Sequence, residues 1–324
     1  MKTVVAIAAG GDSAEDEISM LSAATVYQNL DRNRFEGILV IMRSGNWQAQ
    51  LGKEYFPIDK NDFSFEFEGK KIRFDYVFIA IHGTPGEDGK LQAYFDLLQI
   101  PYSSPNHIGA TLTFNKWYCN TLLKQLNYLV AESQYLRRED EIEEDVIIGK
   151  IGLPCFVKPC SGGSSYGITK VKKKAQLAMA IEKAFEYDHE IMIEEYLPGK
   201  ELTCGVFEKN HEIIALPITQ IIPKGEFFDY EAKYQDNSLE ITPARIEENT
   251  YAEVQEIAKS IYEKLDMRGV VRVDFMLVEN QAYVIEVNAV PGLSPSSLIP
   301  QQVNAAKLSL REFFSSIIES TSAN

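Results

Sequence analysis

Residues 269–278, GVVRVDFMLV, and 282–289, AYVIEVNA, are two strand-like runs with only Glu279, Asn280 and Gln281 between them. Val, Ile and Phe at that density suit a pleated backbone, and so short a connection leaves room for little but a hairpin. Strand side chains alternate in direction, so Arg272 and Asp274 share one face, and Glu286 and Asn288 share a face of the partner strand. Acids in apolar strands need partners, because burying a carboxylate alone is costly. The two polar pairs can converge, and Asp274, Glu286 and Asn288 then offer three oxygen ligands suited to Mg²⁺. The same residues also fit a salt bridge from Arg272 to an acid, with Asn288 capping the turn before Pro291. Taken alone, the hairpin leaves both readings open.

The N-terminal hundred residues have another rhythm. TVVAIAA (3–9) reads as a buried parallel-type strand, followed by Gly10-Gly11 and a helix within DSAEDEISMLSAATVYQNL, where Ser13 and Asp16 have capping-box spacing. GILVIMR (37–43) and YVFIAIHG (76–83) continue an alternating β/α pattern, and KLQAYFDLLQ (90–99) predicts the helix after the third strand. This is an open parallel α/β, Rossmann-like domain over 1–108, with the turn-rich PYSSPNHIG (101–109) at its boundary. Beyond it, ATLTFNKWYCNTLLKQL predicts one helix, and the rest mixes strands and helices in α+β fashion. A long polar loop spans 223–246. We divide this remainder into 109–200 and 201–324, the latter holding the hairpin.

Three further segments carry chemistry. KPCSGGSSYG (158–167) follows the strand LPCFVKP (153–159) and precedes the strand-like ITKV, so it is not a P-loop, which opens a helix. A strand–glycine loop–strand hairpin can still fold over nucleotide phosphates with Lys158 as a point charge, or be only a flexible tip. Glu15, in the first turn after Gly10-Gly11, is either a helix-dipole residue or an anchor for a substrate ammonium. HGTPGEDG (82–89) places His82, Glu87 and Asp88 beyond the third strand, at the end where open α/β sheets bind ligands.

Composition removes several classes. A formal charge of −15 argues against broad nucleic-acid binding, and KVKKK (170–174), the one basic cluster, fits a solvated strand end. No apolar run reaches the roughly 18 residues of a membrane span, and the N-terminus reads as a strand and not a signal peptide. Cys119, Cys155, Cys160 and Cys204 lack metal-ligand spacing and fit free thiols in a reducing cytoplasm.

Six segments in order, GGDSAEDEIS, HGTPGEDG, FVKPCSGGSSYGITKV, EAKYQDNSLEITPA, RVDFML and EVNAVPGLSPSSLIP, resemble the D-alanine–D-alanine ligases of the ATP-grasp superfamily over almost the whole chain. The resemblance implies an ATP-grasp fold and ATP-dependent joining of two D-alanines, through a D-alanyl phosphate and a tetrahedral intermediate, for peptidoglycan synthesis. It implies that Lys116 and Lys158 hold ATP phosphates beneath a loop bearing Ser164 and Ser165, that Glu194 and Glu201 contact adenine and ribose, and that Lys233 reaches the γ-phosphate. Asp274, Glu286 and Asn288 match ligands for two Mg²⁺ ions, for which Mn²⁺ substitutes.

Arg272 and the Gly292 N–H match the groups that stabilise the oxyanion. Glu15 would bind the first D-alanine's ammonium, with His82 near its carboxylate, and Ser297 the second D-alanine's carboxylate. Tyr234 would close onto Ser164 and Glu15, and it favours D-alanine as acceptor, since relatives using D-lactate tend to carry His there. A ligase with D-lactate, D-serine or another acceptor is the alternative. The resemblance also implies a cytoplasmic enzyme of small molecules, without nucleic-acid or membrane partners, and a homodimer. The chain departs from the family at Cys160, at Ala289-Val290 and at Ser294-Pro295. A nicotinamide-dependent oxidoreductase lacks its G-x-G-x-x-G fingerprint here. A non-catalytic nucleotide-binding regulator should have lost an acid or the Arg from the hairpin.

Overall fold

A computed structural model describes residues 2–163, 166–223 and 238–322. β1 (Thr3–Gly10) is buried from Val5 onward, which explains its unbroken apolar run. It pairs parallel with β2 (Phe35–Arg43). Where the sequence predicts only alternating β/α units, residues 46–73 instead form strands. β3 (Asn46–Leu51) and β4 (Glu54–Pro57) extend the sheet antiparallel, and β5 (Ser64–Phe67) pairs with β6 (Lys70–Arg73) in a separate ribbon. Glu68-Gly69, both at positive φ, make the two-residue turn of that ribbon. β7 (Tyr76–Ile79) lies parallel to β1 on its other side, giving the order β4-β3-β2-β1-β7.

α1 (Asp16–Asn29) follows β1, and α2 (Lys90–Leu98) follows β7. The capping box predicted at Ser13 does not form. Ser13 Oγ accepts the Glu15 N–H at 3.2 Å and donates to the His82 carbonyl at 2.9 Å, tying the helix entrance to the loop beyond β7.

The single helix predicted after residue 109 is two. α3 (His107–Phe114) ends at Asn115, whose side chain accepts the Tyr118 N–H at 3.1 Å and caps α4 (Lys116–Gln125). The break makes Lys116 the first residue of α4, where the helix dipole adds to its positive charge. Next come β8 (Ser133–Arg137), α5 (Glu144–Ile151), β9 (Cys155–Pro159), β10 (Thr169–Val171), α6 (Leu177–Phe185) and β11 (Glu190–Glu195). Their strands form an antiparallel sheet in the order β10-β9-β11-β8. Lys172, Lys173 and Lys174 are exposed just beyond β10.

The third sheet holds β12 (Lys200–Lys209), β13 (Glu212–Ala215), β14 (Thr219–Pro223), β15 (Ser238–Ile241), β16 (Val270–Val278) and β17 (Gln281–Asn288), with α7 (Glu248–Lys264) before β16. β15 lies inside the stretch predicted to be loop and pairs with β14. β16 and β17 form the predicted hairpin, turning at Glu279-Asn280, both at positive φ. Its register sets Arg272 opposite Asn288 and Asp274 opposite Glu286.

α8 (Leu298–Ala305) and α9 (Leu310–Ser322) follow. α9 returns to the first sheet, where Phe313, Phe314 and Ile317 join Val5, Ile7, Tyr76 and Phe78 in one apolar cluster. The Tyr76 and Thr321 hydroxyls hydrogen-bond there, 245 residues apart in sequence. No described helix is long and apolar enough to cross a membrane.

Candidate active site

The end of the β16–β17 hairpin forms one wall of a cleft of about 330 Å³. Asp274 accepts two bonds from Arg272, Nε at 2.8 Å and an Nη at 2.7 Å. Thr203 Oγ1 donates to it at 2.6 Å and Asn288 Nδ2 at 3.0 Å. Burial opposes the Arg272 charge, but Asp274, Glu286 and Glu87 outweigh it and hold the guanidinium above its ordinary pKa. It is therefore a permanent cation in the wall of the cleft.

The opposite wall comes from the second sheet and α4. Lys158 Nζ lies 2.7 Å from Glu194, and both residues are buried. Lys116 Nζ donates to the Gly162 carbonyl at 2.7 Å and lies 4.0 Å from Glu286. Phe156, Leu197, Ile221 and Met276 add apolar surface around Glu194 and Glu201, a lining that suits a planar base with polar edges.

The first sheet closes the third side. Gly163 backs directly onto Glu15: a Cβ there would sit 2.7 Å from the carboxylate, so only glycine lets the loop approach this acid. At the far end, a Cβ at Gly292 would meet Ser297 Oγ at 2.8 Å. That hydroxyl does not cap α8 and instead pairs with Ser294 Oγ at 2.7 Å. His82 is buried, and its Nδ1 lies 2.9 Å from the Val290 carbonyl while its Nε2 lies 2.9 Å from Ser22 Oγ. Burial holds this ring below its ordinary pKa, although Glu15 pulls the other way.

Glu15, His82, Lys116, Lys158, Glu194, Glu201, Arg272, Asp274, Glu286, Asn288, Gly292 and Ser297 all line this one cleft. Ser164, Ser165, Lys233 and Tyr234 lie outside the described residues. Three sheets thus bring residues from positions 15 to 297 around two lysines, a half-buried Arg272 paired with buried Asp274, and a second carboxylate.

The sequence matches the family described as D-ala D-ala ligase N-terminus over residues 4–105 and D-ala D-ala ligase C-terminus over 120–319. The chain belongs to the D-alanine–D-alanine ligase family. A D-alanine–D-alanine ligase of Phocaeicola vulgatus is 47% identical over 321 residues, covering 98% of this chain and 99% of that protein. One from Flavobacterium johnsoniae is 48% identical over 316 residues, covering 97% and 98%. Among solved structures, D-alanyl-alanine synthetase A from Vibrio cholerae superposes with a TM-score of 0.89 at 29% identity, covering 100% of this chain and 99% of that one. The VanG D-Ala:D-Ser ligase from Enterococcus faecalis gives 0.87 at 30% identity, covering 99% and 100%. A Bacillus anthracis D-alanine–D-alanine ligase complexed with ATP gives 0.78 at 26%, covering 98% and 96%. The architecture is the ATP-grasp fold.

In this ligase-family chain the fit of a metal ion turns on Asp274. A carboxylate has about four lone-pair sites, and Arg272, Thr203 and Asn288 fill four of them here. Turning the Asn288 amide over removes its donation to Asp274 and sets the amide oxygen where Nδ2 stands, 3.0 Å from that carboxylate, so that a cation would find two oxygens side by side. Among the described residues no three His, Cys, Asp or Glu side chains gather into a metal site by themselves. Mg²⁺ rarely needs that, since one or two carboxylates and phosphate oxygens usually hold it. The donor set of Asp274, Glu286 and Asn288 fits such an ion.

The ligase cleft contains one acid whose burial the sequence does not announce. Glu87 accepts the Gly83 N–H at 3.0 Å and lies 4.0 Å from His82. Burial pushes its carboxyl from 4.5 up to about 8, and Glu15 adds to the push. The folded chain therefore binds this proton more tightly than the unfolded chain does. The stabilisation is complete below about pH 4.5 and is lost as pH rises through about 8. Denaturant unfolding of the ligand-free protein at pH 5 to 8 should show Glu87→Gln gaining stability on the native chain as pH rises, by up to about 1.4 kcal/mol per unit. Parallel curves would place Glu87 as an ordinary ionised acid.

Proposed function

We propose that this chain catalyses ATP-dependent ligation of two D-alanines to D-alanyl-D-alanine for peptidoglycan precursor synthesis, acting in the cytoplasm. What carries the reading is one cleft in which the Arg272–Asp274 pair, Glu286, Lys116 and Lys158 converge, in a chain of the D-alanine–D-alanine ligase family. In this reading residues 1–108 are the substrate domain, 109–200 the central ATP-grasp subdomain and 201–324 the catalytic one.

The first step transfers the ATP γ-phosphoryl group to the carboxylate of the first D-alanine, releasing ADP. The second is attack by the second D-alanine's amine on the acyl carbon, with loss of phosphate. Lys116 and Lys158 bind the phosphates of ATP, and Lys233 reaches the γ-phosphate. Asp274, Glu286 and the Asn288 oxygen would hold Mg²⁺, two ions with Mn²⁺ as a substitute, which neutralises charge on the phosphate oxygens during transfer. Glu194 and Glu201 take the adenine and ribose. Glu15 holds the first ammonium and Ser297 the second carboxylate.

Arg272 and the Gly292 N–H stabilise the oxyanion as the acyl carbon becomes tetrahedral. Tyr234, with Ser164 and Ser165, belongs to the cover that keeps water from the acyl phosphate. His82 serves the first carboxylate's subsite through the loop it holds, since both ring nitrogens are engaged within the protein. The active assembly is a homodimer.

Purified protein given ATP, Mg²⁺ and D-alanine should release phosphate and form the dipeptide. D-lactate or D-serine as sole added acceptor alongside D-alanine should add little. Negligible stimulation by D-alanine would sink the reading.

A further inference from the structure

Ser22 lies one turn beyond Ser19 on α1, wholly buried, and has no part in the chemistry above. Its hydroxyl oxygen is 2.9 Å from His82 Nε2 and accepts the Leu293 N–H at 3.1 Å. The direction of each bond is fixed. The Val290 carbonyl can only accept, so the ring proton sits on Nδ1. In the neutral ring Nε2 is then bare and accepts the Ser22 proton, leaving the Ser22 lone pairs for Leu293. His82 is itself pinned to α1, where its N–H donates to Ser19 Oγ at 3.0 Å. Gly292 lies between two held residues, Val290 through its carbonyl and Leu293 through its amide.

We infer that Ser22 is a positioning residue for the ligation step: with His82 it brackets Gly292 and aims that residue's N–H at the tetrahedral intermediate. The inference rests on the oxyanion role proposed for Gly292. Removing the hydroxyl strands a buried N–H at Leu293 and leaves His82 Nε2 without its donor, so the loop must shift to find other partners. A displacement of about an ångström at a reacting centre lowers rates on the order of a hundredfold. Gly292 acts after phosphoryl transfer, and His82 keeps its backbone bond to Ser19 and its Nδ1 bond to Val290, so the first carboxylate's subsite and the first step should be spared.

The full-length protein carrying Ser22→Ala is compared with the native chain and with Ser22→Thr, which keeps a hydroxyl. Dipeptide formation reads the whole reaction. Isotopic oxygen scrambling in labelled ATP, with D-alanine present, reads the first step alone. For Ser22→Ala we expect kcat of ligation to fall on the order of a hundredfold, with scrambling and the KM for ATP unchanged and ligation largely restored in Ser22→Thr. Ligation at the native rate, or both steps lost together, would overturn the positioning role. Should Ser22→Ala fail to fold, Ser22→Cys, a weaker donor of similar volume, is judged by the same split between the two steps.

The oxyanion reading is checked in the native protein by the amide resonance of Gly292 on adding an unreactive phosphinate dipeptide analogue. A resonance that does not move overturns that reading, and this inference with it, whatever the variants do. A shift seen in the native chain and lost in Ser22→Ala supports both.

Discussion

Glu286→Gln is expected to lower turnover on the order of a thousandfold while the chain keeps its fold. The substitution preserves shape and removes one negative charge directly across the hairpin from Asp274. Little structural loss is expected, because the Glu286 side chain is a quarter exposed at the wall of the cleft and glutamine keeps its shape. The chemical loss follows from the proposed metal role, since glutamine keeps an oxygen donor but not the negative charge that a carboxylate brings to a doubly charged ion. Thermal unfolding and phosphate release across a range of Mg²⁺ concentrations check the two halves. Native-like rates at ordinary Mg²⁺ would reject Glu286 as a ligand and leave it as the partner of Lys116.

Arg272 should show losses of both kinds. Arg272→Met leaves Asp274 buried with Thr203 and Asn288 but no cation, which costs about 3–5 kcal/mol of stability. Ligation should also fall on the order of a hundredfold to a thousandfold, the effect of removing one oxyanion donor. Arg272→Lys separates the two. A single ammonium restores a charge beside Asp274 but not the two-pronged geometry, so stability should recover further than rate does. Melting temperature and kcat measured on both variants give the comparison. A lysine variant as active as the native chain would show that charge alone suffices and that the planar fork is dispensable.

Legibility in the sequence followed the reach of the forces involved. β1, β16 and β17 were readable because a strand's burial is written in its own period, and the facing of Arg272, Asp274, Glu286 and Asn288 follows from the same rule. The break at Asn115 was not readable, because Asn is only a mediocre helix former and becomes a cap when its neighbours turn away. The strands over 46–73 left a signal in Glu68-Gly69 between aromatic runs, which the β/α rhythm of the surrounding segments obscured. His82 is engaged at once by Ser22, 60 residues upstream, and by Val290, 208 residues downstream, and Glu87 is set by Glu15, Arg272 and Glu286 from other elements, so no local pattern encodes either.

The return of α9 to the first sheet has a consequence for how the chain is made. Synthesis delivers the N-terminal strands first, and domains generally fold as they emerge. Here the apolar face bearing Val5, Ile7, Tyr76 and Phe78 is packed early by Ala23 and Val26 of α1 and by Leu30, but Phe313, Phe314 and Ile317 join it only when the end of the chain has been translated. The first hundred residues thus keep part of their apolar face open to chaperones and to wrong partners for most of elongation. A gene cut between residues 80 and 207 would divide this cluster between two fragments, each holding residues whose partners lie on the other.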